Sequence, residues 1–293
     1  MTDRPAEVPE DPIGANRDYW ESLAGFHGRG NDSYYDVEAL VAGERIMTEH
    51  EQSALDRATE GHGVAGLRVA HLQSHIAFDS ITMAQDGASV TALDFSPTAL
   101  ERAREIAARA GVSIETVLAE ATSLSGEEYA SLHGSFDLVY ATIGAICWIE
   151  DIDAWMRSAA ALLRPGGRLV LVDMHPLANC VGSTDPLRLD FPYAGDGPQA
   201  WSGTGSYANA DAPVGGTTVE YAHSLGEVVT AAIDAGMRVD RLEEHLSVAF
   251  DPRGDLLADE GDGRYRLRIG QGRDGGPGVP LPIMFTLLAT RSA

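Results

Sequence analysis

Asp94 ends a short apolar run, Ser89–Asp94 (SVTALD), about 20 residues past Gln73, which ends another. A carboxylate at that distance can accept hydrogen bonds from both hydroxyls of a ribose. Phe95 and Ser96 follow it. A third run ends at Ala119-Glu120-Ala121, where an acidic side chain and backbone groups can meet the edge of an adenine. A fourth ends at Thr142-Ile143-Gly144, with Trp148 soon after, an aromatic able to cover an adenine face. Two histidines stand apart from these. His175 follows a fifth run in Asp173-Met174-His175-Pro176, and His223 lies in Tyr221-Ala222-His223-Ser224, near Glu220 and Glu227. Either imidazole can serve near neutral pH as a general base or as an orienting group for a second substrate, so both are candidate catalytic residues.

Side chains this far apart in sequence meet only if a regular scaffold gathers them. The spacing predicts strands at Leu67–Gln73, Ser89–Asp94, Ser113–Ala119, Phe136–Thr142 and Arg168–Asp173. Helices are expected at 79–86, at 97–111 with Ser96 as cap and Pro97 in its first turn, and at Asp151–Leu163, halted by Arg164-Pro165-Gly166-Gly167. Further helices are expected at Asn16–Phe26, with Tyr19, Trp20 and Leu23 on one face, at Val37–His50 and at Leu225–Gly236. Two last strands are expected at Arg238–Phe250 and Pro280–Ala289. Short strands alternating with helices indicate an α/β, doubly wound, mostly parallel seven-stranded sheet with helices on both faces. In such sheets ligands bind outside the carboxyl ends of the strands, where the strand order reverses. The stretch 176–224, rich in Pro, Gly, Asp and aromatics, is too long for an ordinary loop. Its Trp201, Tyr207 and Tyr221 suggest an aromatic pocket.

Composition narrows the partners. Lys plus Arg is 21 against 44 for Asp plus Glu, a formal net charge of −23. That field repels phosphate backbones and anionic lipid, so neither nucleic acid nor a membrane surface is an expected partner. Two cysteines, Cys147 and Cys180, give neither a disulfide framework nor a zinc motif, so no metal is expected. With no apolar leader and no run of about 18 apolar residues, a cytoplasmic protein is expected, as a monomer or homodimer.

Three stretches carry a family resemblance. Leu93-Asp94-Phe95-Ser96-Pro97, Phe136-Asp137-Leu138-Val139-Tyr140 and Leu162-Leu163-Arg164-Pro165-Gly166-Gly167-Arg168-Leu169 resemble motifs of class I S-adenosylmethionine-dependent methyltransferases. NRDYW from Asn16, HLQSH from His71 and HSLGE from His223 resemble a bacterial subgroup with HLQ in place of the usual DLG, some of whose members modify natural products, including indole rings. The resemblance implies S-adenosylmethionine as cofactor and a small-molecule methyl acceptor, and the subgroup points to an aromatic or indole intermediate of secondary metabolism. It implies cofactor contacts from Gln73, Ser74, Asp94, Phe95, Ser96, Glu120, Ala121, Thr142, Ile143 and Trp148, the pair Thr142-Ile143 beside the sulfonium. Trp20 and Tyr35 would contribute from a helical lid. The expected organisation is a disordered tail over 1–14, the lid over 15–60, an α/β core over 61–175, an acceptor-binding insertion over 176–224 and the remainder of the core over 225–293. Gln73, His75 and Ala77 stand where the family's first loop carries glycines. The turn is therefore expected to be wider, or side chains such as Gln73 to contact the cofactor's amino-acid tail. Two alternatives follow from that departure: a cofactor-binding protein without methyl transfer, and a nicotinamide-dependent enzyme, the latter weakened by the absence of GxGxxG.

Overall fold

The computed structural model describes residues 4–30, 34–251, 256–259, 261–272 and 276–292. The chain runs β1 (Arg4–Ala6), α1 (Pro12–Phe26), α2 (Val37–Val41), α3 (Glu49–Ala58), β2 (Arg68–Leu72), α4 (Phe78–Gln85), β3 (Ser89–Asp94), α5 (Pro97–Arg109), β4 (Glu115–Leu118) and β5 (Phe136–Thr142). It continues through α6 (Ile152–Leu162), β6 (Leu163–Met174), α7 (Pro176–Cys180), β7 (Val181–Thr184), β8 (Leu187–Leu189), β9 (Gln199–Thr204) and β10 (Gly215–Glu220). Then come α8 (Leu225–Asp234), β11 (Met237–His245), β12 (Ala258–Asp259), β13 (Tyr265–Ile269), β14 (Val279–Leu281) and β15 (Met284–Arg291).

The central sheet has seven strands in the order β11-β15-β6-β5-β2-β3-β4, and β15 alone runs antiparallel to its neighbours. Period-two alternation along the central strands divides the core in two. Val69, Leu138, Val170 and Val172 pack with Ala54, Ile81 and Ile106 of α3, α4 and α5. Their neighbours Ala70, Val139, Leu169 and Leu171 face Trp155, Met156 and Val228 of α6 and α8. This is the doubly wound arrangement, and β2 and β5 sit at its centre, where the order reverses.

Several boundaries differ from those expected. Residues 4–14, expected as a disordered tail, instead supply β1, paired antiparallel with β9, and the first turn of α1, capped by Asp11. The helix expected over 37–50 is two helices, because Gly43 takes a left-handed φ of 84° and Thr48 starts α3 with a capping box closed by Glu51. The Arg-Pro-Gly-Gly stretch lies inside β6, across a register shift against β5. A Cβ at Gly167 would stand 2.9 Å from the carbonyl oxygens of both Arg164 and Phe136, so only glycine fits that close approach. The insertion is built rather than loose: β9 and β10 form a sheet with β1.

That small sheet joins the N-terminal segment to the insertion. The outer edge of β10 is completed by a side chain. Asn16 of α1 donates from Nδ2 to the Val219 carbonyl at 2.8 Å and accepts at Oδ1 from the Val219 N–H at 2.7 Å, all buried. One amide thus acts as a missing strand residue and satisfies both backbone groups at once. No helix among the described residues is long and apolar enough to cross a membrane.

Asn16→Ala leaves those two backbone groups buried without partners, and should cost about 1–3 kcal/mol. The loss should be read as lower unfolding free energy together with faster hydrogen exchange at the Val219 amide. Unchanged protection there would contradict the edge-completing role.

Candidate active site

The carboxyl ends of β2, β3, β4 and β5 converge on two adjoining cavities, and α1 forms part of the wall of both. The smaller, about 130 Å³, is lined by Gln73, Asp94, Phe95, Glu120, Ala121 and Trp148, with Ile13 and Asn16 of α1 and the neighbouring Thr122 closing it. The larger, about 1550 Å³, lies between α1, the β5 end and the insertion. Trp148 lines both.

Asp94 is buried, and its two oxygens do different work. Oδ2 accepts the His75 N–H at 2.8 Å and Oδ1 accepts the Ser96 N–H at 2.9 Å. Burial pushes its carboxyl pKa up to about 6, and the nearby Glu21 carboxylate adds to the rise. Each oxygen keeps lone-pair capacity for a further donor from the cavity.

The loop after β2 holds the clearest departure from expectation. Gln73, His75 and Ala77 have φ of 52°, 48° and 59°, the left-handed conformation that glycine adopts freely. The turn thus takes, with side chains attached, a backbone shape that glycine adopts without strain, at a cost of order 1 kcal/mol or more per residue. Local hydrogen bonds hold it: Ser74 N–H to Leu93 O at 3.0 Å, His75 N–H to Asp94, and Ala77 N–H to Ser74 O at 2.8 Å. Gln73 is fixed at both ends of its amide, accepting from the Trp155 indole at 2.9 Å and donating to the Ala145 carbonyl at 2.8 Å. Its side chain is thus committed to the scaffold, although it borders the smaller cavity.

The other expected cofactor residues divide. Phe95, Ala121 and Trp148 line the smaller cavity. Glu120 lines it too, but its carboxylate is paired with Arg17 and so ties α1 to the core. Ile143, Trp20 and Tyr35 line the larger cavity. The Trp20 ring stands edge-on to Trp148, centroids 5.4 Å apart, and to His75 at 5.3 Å. Tyr35 is hydrogen-bonded through its hydroxyl to Tyr207 of the insertion, and burial raises its pKa well above the usual phenol range. Three residues do not reach either cavity wall. Ser74 is buried in the turn, and among the described residues its hydroxyl has no partner. Ser96 is fully buried, capping α5 through the Ala99 N–H and donating to Glu21 of α1. Thr142 turns away and donates to Asp79 at 2.9 Å. Asp79 sits near buried Glu51, and burial followed by that carboxylate pushes its pKa up to about 8.

The two histidines also divide. His175 is buried and is not on the cavity wall. Its Nδ1 accepts the Leu177 N–H at 3.1 Å, capping α7, and Nε2–H donates to Glu244 at 2.8 Å. Burial holds its pKa below the usual value. With both nitrogens used, it is a structural cap and not a base facing the cleft, which corrects the expectation drawn from its place after β6. His223 is half-buried on the wall of the larger cavity. Its Nε2–H donates to the Ile149 carbonyl at 2.5 Å, which fixes the tautomer and leaves Nδ1 as the acceptor nitrogen.

Sequence reasoning missed Asp173. Its carboxylate gathers the N–H groups of Gly144 (2.5 Å), Ala145 (3.0 Å), Ile146 (3.0 Å) and Met174 (2.7 Å), fixing the turn after β5 at the junction of the two cavities. It also missed Asn16, although the i, i+3, i+7 spacing with Tyr19 and Leu23 puts it on the inner face of α1.

Residues 74–167 match the model of a family described as a methyltransferase domain. A ubiquinone biosynthesis O-methyltransferase of Xanthomonas euvesicatoria is 33% identical over 112 residues, 38% of this chain and 45% of that protein. One of Methylocella silvestris is 33% identical over 110 residues, 38% of this chain and 41% of that protein. The chain thus aligns with less than half the length of these relatives. Among solved structures, an S-adenosylmethionine-dependent methyltransferase of Mesorhizobium loti superposes with a TM-score of 0.52 at 22% identity, covering 83% of this chain and 98% of that one. Another, of Clostridium acetobutylicum, gives 0.55 at 10% identity, covering 87% and 96%. At those identities the structures speak for the fold.

His175→Ala should lower stability by about 1–2 kcal/mol through loss of the α7 cap, and His175→Asn, which can still cap, should recover part of it. Thermal unfolding of the two variants checks this. Equal melting temperatures for wild type and His175→Ala would contradict the capping role.

Proposed function

We propose that this protein, whose residues 74–167 match the model of a methyltransferase domain, transfers a methyl group from S-adenosylmethionine to a small aromatic acceptor. The observation that carries the reading is the pair of adjoining cavities at the strand ends, one small with a buried carboxylate on its wall, the other large and ring-lined, with Trp148 between them.

The donor set fits the cofactor. Asp94 would accept from the ribose hydroxyls, and Phe95, Ala121 and Trp148 would flank the adenine. When bound, S-adenosylmethionine supplies a methyl carbon made electrophilic by its sulfonium. The protein's part is positioning and exclusion of water. Trp20 and Trp148, in edge-to-face contact, form one aromatic wall against which a flat acceptor would lie, while the hydrogen-bonded Tyr35 and Tyr207 close the cleft from the lid and the insertion. His223, with Nδ1 as acceptor, takes a proton from an acceptor that must lose one. Opening of α1 together with β9 and β10 would admit both ligands, since Asn16 and β1 bind them into one unit.

Asp94→Ala should weaken S-adenosylmethionine binding by about 2–4 kcal/mol, measured by calorimetric titration. In the wild type, affinity should fall as pH drops through about 6, because the protonated carboxyl loses acceptor capacity, and the variant should lose this dependence. Unaltered affinity in Asp94→Ala removes the ribose assignment.

His223→Ala should slow single-turnover methyl transfer by about 10²–10⁴-fold with little change in cofactor affinity or melting temperature. A wild-type rate in that variant would mean that positioning alone carries the reaction.

A further inference from the structure

The wall of the larger cavity has a chemical bias. It is rich in rings: Trp20, Tyr34, Trp148, Phe191, Trp201 and Tyr207 come from the lid, the core and the insertion. Its formally charged groups, among the described residues, are carboxylates: Asp173, which accepts backbone N–H groups, Glu220 and Asp251. Among the described residues, no arginine lines it, and the chain contains no lysine. A carboxylate or phosphate carried into this space would lose its hydration with no cation on the described wall to meet it.

Glu220 is the carboxylate that the insertion brings to this wall. It ends β10, half-buried, and the next residue is tied to the floor by the Tyr221 N–H donating to the Cys147 carbonyl at 2.8 Å. Its field reaches that floor: the Cys147 thiol is held well above its usual pKa by burial first, then by Glu220 and Asp173. Aromatic rings with an adjacent carboxylate form the surroundings in which an organic ammonium is bound, through cation–π attraction and ion pairing together.

We propose that the methyl acceptor is a cationic arylalkylamine: an aromatic body seated among the rings of the lid and insertion, with its ammonium directed to Glu220. The inference rests on the methyltransferase reading and narrows the acceptor within it. The same cavity disfavours aromatic acids of equal size and shape, so the discrimination is by charge rather than by fit.

The test uses matched pairs on the full-length protein saturated with S-adenosylhomocysteine: tryptamine against indole-3-propionate, and tyramine against 3-(4-hydroxyphenyl)propionate, with affinities from calorimetry at pH 7.5. The amine should bind at least about tenfold tighter than its acid partner in each pair. Glu220→Gln should shrink that gap to about threefold or less while leaving S-adenosylhomocysteine affinity unchanged. Acids binding as tightly as amines, or neither class binding to the saturated protein, would overturn the inference. So would a gap that persists in Glu220→Gln. The wild-type comparison stands without the variant should Glu220→Gln fail to fold. Failure of S-adenosylhomocysteine itself to bind would instead strike the methyltransferase reading from which the inference starts.

Discussion

The carboxylate of Asp94 holds two turns at once. Through His75 it fixes the loop after β2, and through Ser96 it fixes the start of α5. The first of these turns is made of left-handed residues that are not glycine, a conformation that persists only where surrounding contacts over-determine it. Burial raises the free energy of the charged carboxylate, and two backbone N–H groups offset part of that cost. A ligand that supplies further donors would offset more. The strained loop, the buried acid and the smaller cavity are therefore one arrangement, and it stands where the strand order of the sheet reverses.

A second layer closes over this centre. Segments about 200 residues apart in the sequence, α1 and β1 on one side and β9 and β10 on the other, are joined by strand pairing and by the Asn16 amide. This unit touches the core through polar latches: Glu21 on Ser96 and Thr98, and Arg17 on Glu120. Both latches land beside the strand ends that line the smaller cavity. Exposed pairs such as Arg17–Glu120 contribute little stability, which is compatible with the opening proposed for this unit.

Much of this was legible in the sequence because it rests on local rules. The alternation of strands and helices, the Ser96 cap and the acidic residue at the end of β3 all follow from short-range patterning, and Ser89–Asp94 and Phe136–Thr142 have the bounds that their composition predicts. What was not legible depends on contacts between distant segments. Nothing near Arg4 indicates that it pairs with Ser202. His175 follows a strand end as a catalytic base would, and only the approach of Glu244 and the start of α7 give it a structural role. Ser96 and Thr142 likewise sit at the right strand ends, but their hydroxyls are claimed by Glu21 and Asp79. Side-chain direction at a strand end is set by tertiary partners, and sequence spacing carries no record of them.

The account stands on methyl transfer taking place in the ring-lined cleft. The direct measurement is incubation of the purified protein with methyl-labelled S-adenosylmethionine and a panel of aromatic amines, phenols and indoles, following label into each acceptor. Label appearing in at least one aromatic acceptor, at a rate that saturates with acceptor concentration, is the predicted result. Tight binding of S-adenosylmethionine with the label retained on it across the whole panel would contradict the account and leave a protein that binds the cofactor without transferring its methyl group.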